Sequence, residues 1–552
     1  MSEDEVVRTL GGIGRWQVRQ SVLLSLSGVL CAWQILSVVF LAPATEHWCA
    51  PPPGHHCADT SSTSGDTRCT PRQWRALGVP HELRDGERVK SQCLVFSQPI
   101  DAIVPDTNAT MSCSTWQYDT TEYTSTLVIE FDLVCDRKWL QMIVKGIYMV
   151  GIMFGVMTWG IIADRYGRRP ALLLCLALNC LSSLVTMAST TVQMFLLLRF
   201  LTAFFGIGMY TTGFVMSMEL VGEQWRALLG ITYCLPVSCG FITMGGMAYL
   251  VRDWRLLQLA LSLPGLLFVS FYWLVPESPR WLLSKGRVSE ARDILEQICK
   301  FNKMEPLEKL PELEPPSEKG TPSTENFLDV FRAGKTAALF LCLFFCWLVN
   351  SMVFYGIVLN AGDFGGNMYL NATLGGVVEV PALLSCAYAI YRLGRRAPIS
   401  INMLGAGVAC LLTLACTKGA FPHDWPMVCL AMMGRFCITA SFSTIYIYTA
   451  ELFPTSVRNT CLAACSVGSR VGGILAPLLD LLKEAIHPTV PVVVFGLTAI
   501  LSGASVLLLP ETAGRPLPEV LADVSKGRRR KQTGDEIEEK TTDELLPAPV
   551  VV

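Results

Sequence analysis

Gly160-Ile-Ile-Ala-Asp164-Arg165-Tyr166-Gly167-Arg168-Arg169 lies between two long apolar stretches, and an echo, Tyr391-Arg392-Leu393-Gly394-Arg395-Arg396, lies between two others about half a chain later. Each reads as a tight basic turn, in which glycine lets the flanking helices approach closely and the arginines stay at the polar boundary. The recurrence predicts two similar halves, related by an axis along the membrane normal, with a cavity between them near the midplane. Asp164, Arg165, Gly167 and Arg168 in the first turn and Arg395 in the second are read as latches, charged groups that pair across the halves when the inner gate closes. Bases at headgroup level ordinarily set topology, so these residues are poor ligands for a solute.

Outward from the turns the chain is a succession of apolar runs. Of 552 residues, 51% are hydrophobic and 16% charged, which is more apolar surface than soluble cores of ordinary size can hide, so the excess must face lipid. A spanning helix takes about 20 mostly apolar residues, because the hydrocarbon core is roughly 30 Å thick and each residue rises about 1.5 Å. Helices are predicted at 17–42, 139–163, 170–189, 192–217, 226–250 and 255–275, then at 335–360, 369–391, 398–417, 424–450, 459–482 and 490–510. The first, opening at Trp16, exceeds the length of a signal-peptide core and lacks a clean small-residue cleavage site, so it reads as a retained helix.

Arg165, Arg168 and Arg169, then Arg392, Arg395 and Arg396, then Arg458, and finally Arg528, Arg529, Arg530 and Lys531 all fall on one side of these helices. The positive-inside rule makes that side cytoplasmic, together with both termini. The expected organisation is a cytoplasmic start at 1–16, a first six-helix bundle over 17–275 that includes an outside domain at 43–138, a cytoplasmic linker at 276–334, a second bundle at 335–510 and a cytoplasmic tail at 511–552. The outside domain holds Cys49, Cys57, Cys69, Cys93, Cys113 and Cys135, in a place where oxidation permits disulfides; six cysteines can pair in many ways and the sequence selects none. Asn108-Ala109-Thr110 in that domain is a glycosylation acceptor, whereas Asn371-Ala372-Thr373 falls within a predicted helix. The other cysteines lack metal-ligand spacing and read as small apolar filler.

The first turn resembles the signature of the major facilitator superfamily, and Pro276-Glu277-Ser278-Pro279-Arg280-Trp281-Leu282-Leu283 narrows the resemblance to sugar porters or organic ion transporters. The long Cys-rich loop, Arg252-Asp253-Trp254-Arg255, Asn350-Ser351 to Tyr355-Gly356, and Thr449-Ala450-Glu451-Leu452-Phe453-Pro454-Thr455 with Val457-Arg458-Asn459 resemble the organic cation, carnitine and organic anion transporter family. Leu509-Pro510-Glu511-Thr512 and Leu517-Pro518-Glu519 extend that resemblance, which runs over about residues 5 to 520. It implies an all-α membrane protein with 12 transmembrane helices in two six-helix bundles, the major facilitator fold, and a disulfide-containing extracellular loop domain. Tyr391 stands where many relatives carry Asp, a departure from an inner gate with two equal ion pairs. Glu219 with Arg226 and Glu451 with Arg458 read as further paired gate charges.

Ionisable side chains inside membrane helices are costly and therefore candidates for function. Arg470, in Ser469-Arg470-Val471-Gly472-Gly473, has no basic neighbour, and its planar fork suits a carboxylate or sulfate, unless a structural carboxylate pairs with it. The resemblance implies an anionic group on the substrate, since the family tends to carry an acid here in cation-selective members and Arg in anion and carnitine transporters. Glu379, in Val377-Val378-Glu379-Val380-Pro381, can attract the ammonium of a zwitterion, a coupling cation or Arg470 itself. Arg435 reads as a family-typical structural base, and Lys145 either snorkels outward or adds positive field to the cavity. Trp347 and Tyr355 are about 80° apart around one helix and border one groove. With Tyr446 they are the aromatic candidates for stacking or cation–π contact, against a default of lipid or helix packing.

Six histidines without metal spacing and the lack of a phosphate loop leave no enzyme signature. The expectation is a plasma-membrane secondary transporter of small organic anions or zwitterions, carnitine-like or carboxylate, working by alternating access without a cofactor. It would be driven by sodium, protons or a counter-substrate. The alternatives are an organic cation carrier and a transporter-like receptor for an extracellular protein ligand. Expected partners are the lipid bilayer and a small organic ion, with no nucleic acid; the terminal Pro549-Val550-Val551-Val552 is a candidate strand for a PDZ-type scaffold.

Overall fold

The computed structural model describes residues 13–43, 45–51, 74–75, 78–84, 87–96, 110–304, 327–332, 334–362, 364–416 and 421–513. Cys57, Cys69, Asn108, the middle of the linker, Arg528 to Lys531 and the terminal Pro549 to Val552 lie outside the described residues.

Two sets of six helices carry the chain across. The first set is α1 Arg15–Leu41, α2 Trp139–Tyr166, α3 Arg168–Thr186, α4 Val192–Glu219, α5 Leu228–Leu250 and α6 Trp254–Leu274. The second is α7 Gly334–Leu359, α8 Met368–Leu393, α9 Arg396–Ala415, α10 Trp425–Leu452, α11 Thr455–Ala485 and α12 Val490–Val506. Eleven described helices are long and apolar enough to span a bilayer, and α12 is a shorter apolar one of 17 residues. Their starts are fixed locally: Thr191, Asp253 and Asn367 accept backbone N–H groups at the first turns of α4, α6 and α8. Pro381 and Pro477 sit inside α8 and α11, which a membrane helix tolerates when neighbours satisfy the freed backbone.

Small residues set the packing within each bundle, as expected where lipid removes the hydrophobic drive between helices. A Cβ on Gly151 or Gly155 of α2 would strike the backbone of α4, and one on Gly472 of α11 would strike the Leu348 carbonyl of α7. Between bundles, α5 meets α8 and α2 meets α11. Gly245 lies against Tyr369 and Thr373, Gly376 against Ile242, and Gly146 against Pro477.

At the end opposite the basic turns sits the loop domain. Strands β1 His47–Cys49, β2 His81–Arg84, β3 Glu87–Lys90, β4 Leu94–Phe96, β5 Thr110–Ser112 and β6 Trp116–Tyr118 form three antiparallel pairs, β1 with β6, β2 with β3 and β4 with β5. The structure resolves the pairing left open by the sequence for four cysteines, joining Cys49 to Cys113 and Cys93 to Cys135. Trp74 is buried beside them and donates its indole N–H to the Cys49 carbonyl at 2.7 Å. The domain is anchored on the first bundle: Glu130 pairs with Arg255 and accepts from Trp254 Nε1 at 2.6 Å. At the other end the helix Val288–Asn302 ties back to α1, with Asn302 Oδ1 accepting from Trp16 N at 3.0 Å.

Candidate substrate site and gates

Gly472 and Gly473 let α11 lie directly on α7, and that approach places Arg470 beside Tyr355, whose ring a Cβ on Gly473 would meet at 3.1 Å. Arg470 lies within electrostatic reach of Tyr355 and Tyr446. Among the described residues it forms no hydrogen bond or ion pair, and its Nε is buried without a partner. An unmatched guanidinium in a membrane interior costs several kcal/mol or more.

Glu379 is already taken. Its Oε1 accepts from Arg435 at 2.6 Å, both side chains being 5% exposed, and its Oε2 accepts from Ser238 Oγ of α5 at 3.1 Å. Arg435 stacks over Phe241 of α5 and Phe354 of α7, and Gly375 makes room for its shaft. The pair therefore belongs to the second bundle but touches the first through Ser238 and Phe241. The structure shows Glu379 in an internal ion pair, with Arg435 as the partner in place of Arg470.

The aromatics divide by burial. Trp347 is fully buried, donates to Thr449 Oγ1 at 3.0 Å and meets Tyr446 edge-on at 4.2 Å between centroids. Tyr446 is 37% exposed, so Trp347 stands behind it as a buttress. Phe442 links Trp347, Tyr446 and Phe354 into one cluster. Lys145 is away from this cluster, on a cavity of about 410 Å³ near the loop domain that Gln141, Asn360 and Asp480 also line.

Arg199 of α4 is the main residue missed by the sequence reading. It is 1% exposed, donates to Gln34 Oε1 at 3.0 Å and to the Gln34 carbonyl, and stacks on Tyr148 at 4.5 Å. Tyr148 lies within electrostatic reach of Tyr355, which joins Arg199 to the same central region. The signal was present: Arg199 is a lone base in an apolar run, and Arg199-Phe200 recurs as Arg435-Phe436.

The basic turns are built alike. Gly167 and Gly394 take φ of +116° and +84°, and a Cβ on either would strike the carboxylate of Glu277 or Glu511. Each carboxylate caps the next helix: Glu277 accepts the backbone N–H groups of Arg168 and Arg169, and Glu511 those of Arg395 and Arg396. Burial holds the Glu277 carboxyl above its ordinary range; burial also pulls on Glu511, but its backbone donors outweigh it and leave that carboxyl lowered. Glu219 is held by Arg168 at 3.0 Å and Glu451 by Arg395 at 2.9 Å. Arg458 instead donates to the Phe453 carbonyl at 3.2 Å. Glu451 is thus held by Arg395, while Arg458 turns to a backbone carbonyl, because each turn folds onto the end of the fourth or tenth helix of its own bundle. In this conformation the charges of each turn pair within their own bundle. Asp164 adds a second carboxylate to Arg168 at 2.6 Å, the exposed Arg165 covers Tyr166, and Tyr391, at Asp164's equivalent position, is 85% exposed. The Arg–Glu pair survives that departure.

At the loop-domain end the bundles are closed by aromatics. Phe40 of α1 stacks on Tyr369 of α8 at 5.5 Å, Tyr249 of α5 meets Tyr369 edge-on at 5.6 Å, and Tyr123 donates to Met368 Sδ at 2.6 Å.

Two six-helix bundles around a buried charged site define the major facilitator class of membrane transporter. The pattern of the family described as sugar (and other) transporter matches residues 95–523. An "Organic cation transporter protein" of Drosophila melanogaster is 33% identical over 99% of this chain and 98% of its own. Solute carrier family 22 member 3 of Mus musculus is 34% identical, with 95% of each chain covered, and member 6 of Bos taurus 33% identical, with 96% of each. The chain therefore belongs to the sugar (and other) transporter family, in its solute carrier family 22 branch of organic ion transporters. The xylose transporter XylE of E. coli shares the fold, with a TM-score of 0.58 and 15% identity over 91% of this chain and all of its own. The protein is a multi-pass secondary transporter and not an enzyme.

Proposed function

We propose that the protein carries small organic anions or zwitterions, with Arg470 receiving the anionic group. The observation that carries this reading is the charge balance around the central tyrosines: three guanidiniums, Arg199, Arg435 and Arg470, face one carboxylate, Glu379, and that carboxylate is spent on Arg435. The names of the relatives divide between cation carriers and other members of the branch, so they do not choose the substrate. A quaternary ammonium on a zwitterion would rest against the exposed face of Tyr446, with Phe442 and Trp347 behind it. The basic end is read as cytoplasmic by the positive-inside rule, at the plasma membrane, and on that reading the aromatic closure of the other end supports an inward-facing state. Returning outward requires α5 to leave α8, which breaks the Ser238–Glu379 and Arg435–Phe241 contacts. The driving ion or counter-substrate is sodium, a proton or a second organic anion.

Uptake of a quaternary-ammonium carboxylate, an aromatic carboxylate and a permanent quaternary cation into cells expressing wild type and Arg470→Ala tests the assignment. Entry of the carboxylates, lost on substitution at equal surface expression, is the expected result. Entry of the cation alone, unchanged in the variant, makes the protein a cation carrier and Arg470 structural. A panel that never enters while an outside protein ligand binds the loop domain would favour a receptor.

A further inference from the structure

Helices α3 and α6 touch near their middles, where a Cβ on Gly265 would meet Cys180 Sγ at 2.7 Å. From there they leave an apolar groove of about 440 Å³ on the lipid-facing side, bordered by Leu173, Leu184, Val269, Tyr272 and Trp273. The gap has a backbone cause: residues Leu263–Ser270 of α6 form a 3-10 helix whose first turn holds Pro264 and Gly265, so its side chains do not mesh with the ridges of α3. The equivalent pair in the other half is sealed. There a Cβ on Gly407 would meet the Gly496 carbonyl at 2.7 Å and one on Gly503 would meet the Leu404 N at 3.0 Å, so α12 lies directly on α9.

Leu173 to Leu184 spans about 16 Å of helix, close to the hydrocarbon depth of one leaflet. The mouth of the groove at the basic end is polar on one side. Arg169 donates to the Tyr272 carbonyl at 2.6 Å and stacks over the Tyr272 ring at 5.4 Å, while its Nε is buried with no partner. Glu277, the nearest carboxylate of that turn, is occupied by the backbone of Arg168 and Arg169, and Asp164 by Arg168. Arg169 forms no ion pair among the described residues, and Trp273 beside it is 75% exposed in the interfacial position that tryptophan favours. We propose that this groove holds one acyl chain of an anionic phospholipid from the leaflet on the basic side, with its net negative headgroup at Arg169.

The test uses the full chain in vesicles of phosphatidylcholine with a minor fraction of phosphatidylserine, doped in separate samples with phosphatidylserine, phosphatidylcholine or a sterol, each carrying a photoreactive diazirine in its apolar part. After illumination, labelled peptides are mapped. Phosphatidylserine is expected to label 173–184 and 266–273 about fivefold more than phosphatidylcholine does, the preference that roughly one basic side chain gives at an anionic headgroup. Arg169→Gln should reduce that ratio to one while acyl labelling persists. Ala177→Phe, placed on an exposed position of the groove, should remove labelling by both phospholipids from these peptides, with the thermal unfolding midpoint checking that each variant is folded. Equal labelling by the two phospholipids in wild type, labelling spread evenly over the other outer helices, or labelling by the sterol in place of phosphatidylserine would each overturn the proposal.

Discussion

Helices α4 and α10 hold equivalent places in the two halves, and each carries an arginine followed by phenylalanine, yet the two arginines are satisfied by different chemistry. Arg199 rests on neutral oxygens of Gln34 and on the ring of Tyr148, all from its own bundle. Arg435 is matched by the carboxylate of Glu379, and that pair reaches Ser238 and Phe241 of the opposite bundle. A repeated cation can thus serve two ends. In the first bundle it ties α4 to α1 in a network that continues from Gln34 to Ser183, Gln258 and Ser262, and its charge stays uncancelled. In the second it is neutralised at the surface where the bundles must part.

The largest expected effect lies on the charged side of this comparison. Glu379→Gln leaves Arg435 as an uncompensated buried cation, which should cost about 3–5 kcal/mol of stability. The double variant Glu379→Gln/Arg435→Gln should recover much of the loss, because no buried charge then lacks a partner. Thermal and denaturant unfolding of the purified protein read this, and a double variant as unstable as the single one would show that the pair acts by shape and not by charge. On the neutral side, Gln34→Leu removes one acceptor from Arg199 but keeps the Gln34-position carbonyl. Its cost should be smaller, about 1–3 kcal/mol. If Gln34→Leu destabilised the protein more than Glu379→Gln, the distinction between the two arginines would fail.

The smallest effect separates the two basic turns by pH. Glu277 is raised by burial, so its contribution to stability is fully present below the unfolded-state pKa and lost as pH rises through the folded value. Glu511 is lowered despite burial, so its contribution is present above the unfolded-state pKa and lost as pH falls through the folded value. The ordinary carboxylate range, near about pH 4, is the window in which the two diverge. Unfolding midpoints of Glu277→Gln and Glu511→Gln, followed from about one pH unit below that range up to neutral, should approach wild type with rising pH for the first and, below the range, with falling pH for the second. Parallel trends would mean that the turns titrate alike despite their different burial.

Much of the architecture can be read from composition and spacing. Helix positions follow from runs of apolar residues long enough for a bilayer, and the two-bundle repeat from Gly167-Arg168-Arg169 and Gly394-Arg395-Arg396. Arg470 stands out because a lone base in an apolar helix is costly, and Arg199 meets the same criterion. Glu277 and Glu511 carry a weaker signal, the recurrence of Pro-Glu after the sixth and twelfth helices. The partners of these charges are another matter. Arg435 lies 56 residues from Glu379 and Arg168 51 from Glu219, separations at which no local rule applies.

The sequence by itself determined that this chain spans a membrane in two related halves, with few and therefore conspicuous charges inside, since transfer free energies act residue by residue. Only the tertiary structure decided that Glu379 belongs to Arg435, that Arg470 is left open beside Tyr355 and Tyr446, and that each basic turn closes on its own bundle. Those outcomes depend on Ångström-scale approach between helices distant in sequence, which glycines such as Gly375, Gly472 and Gly473 permit but do not specify.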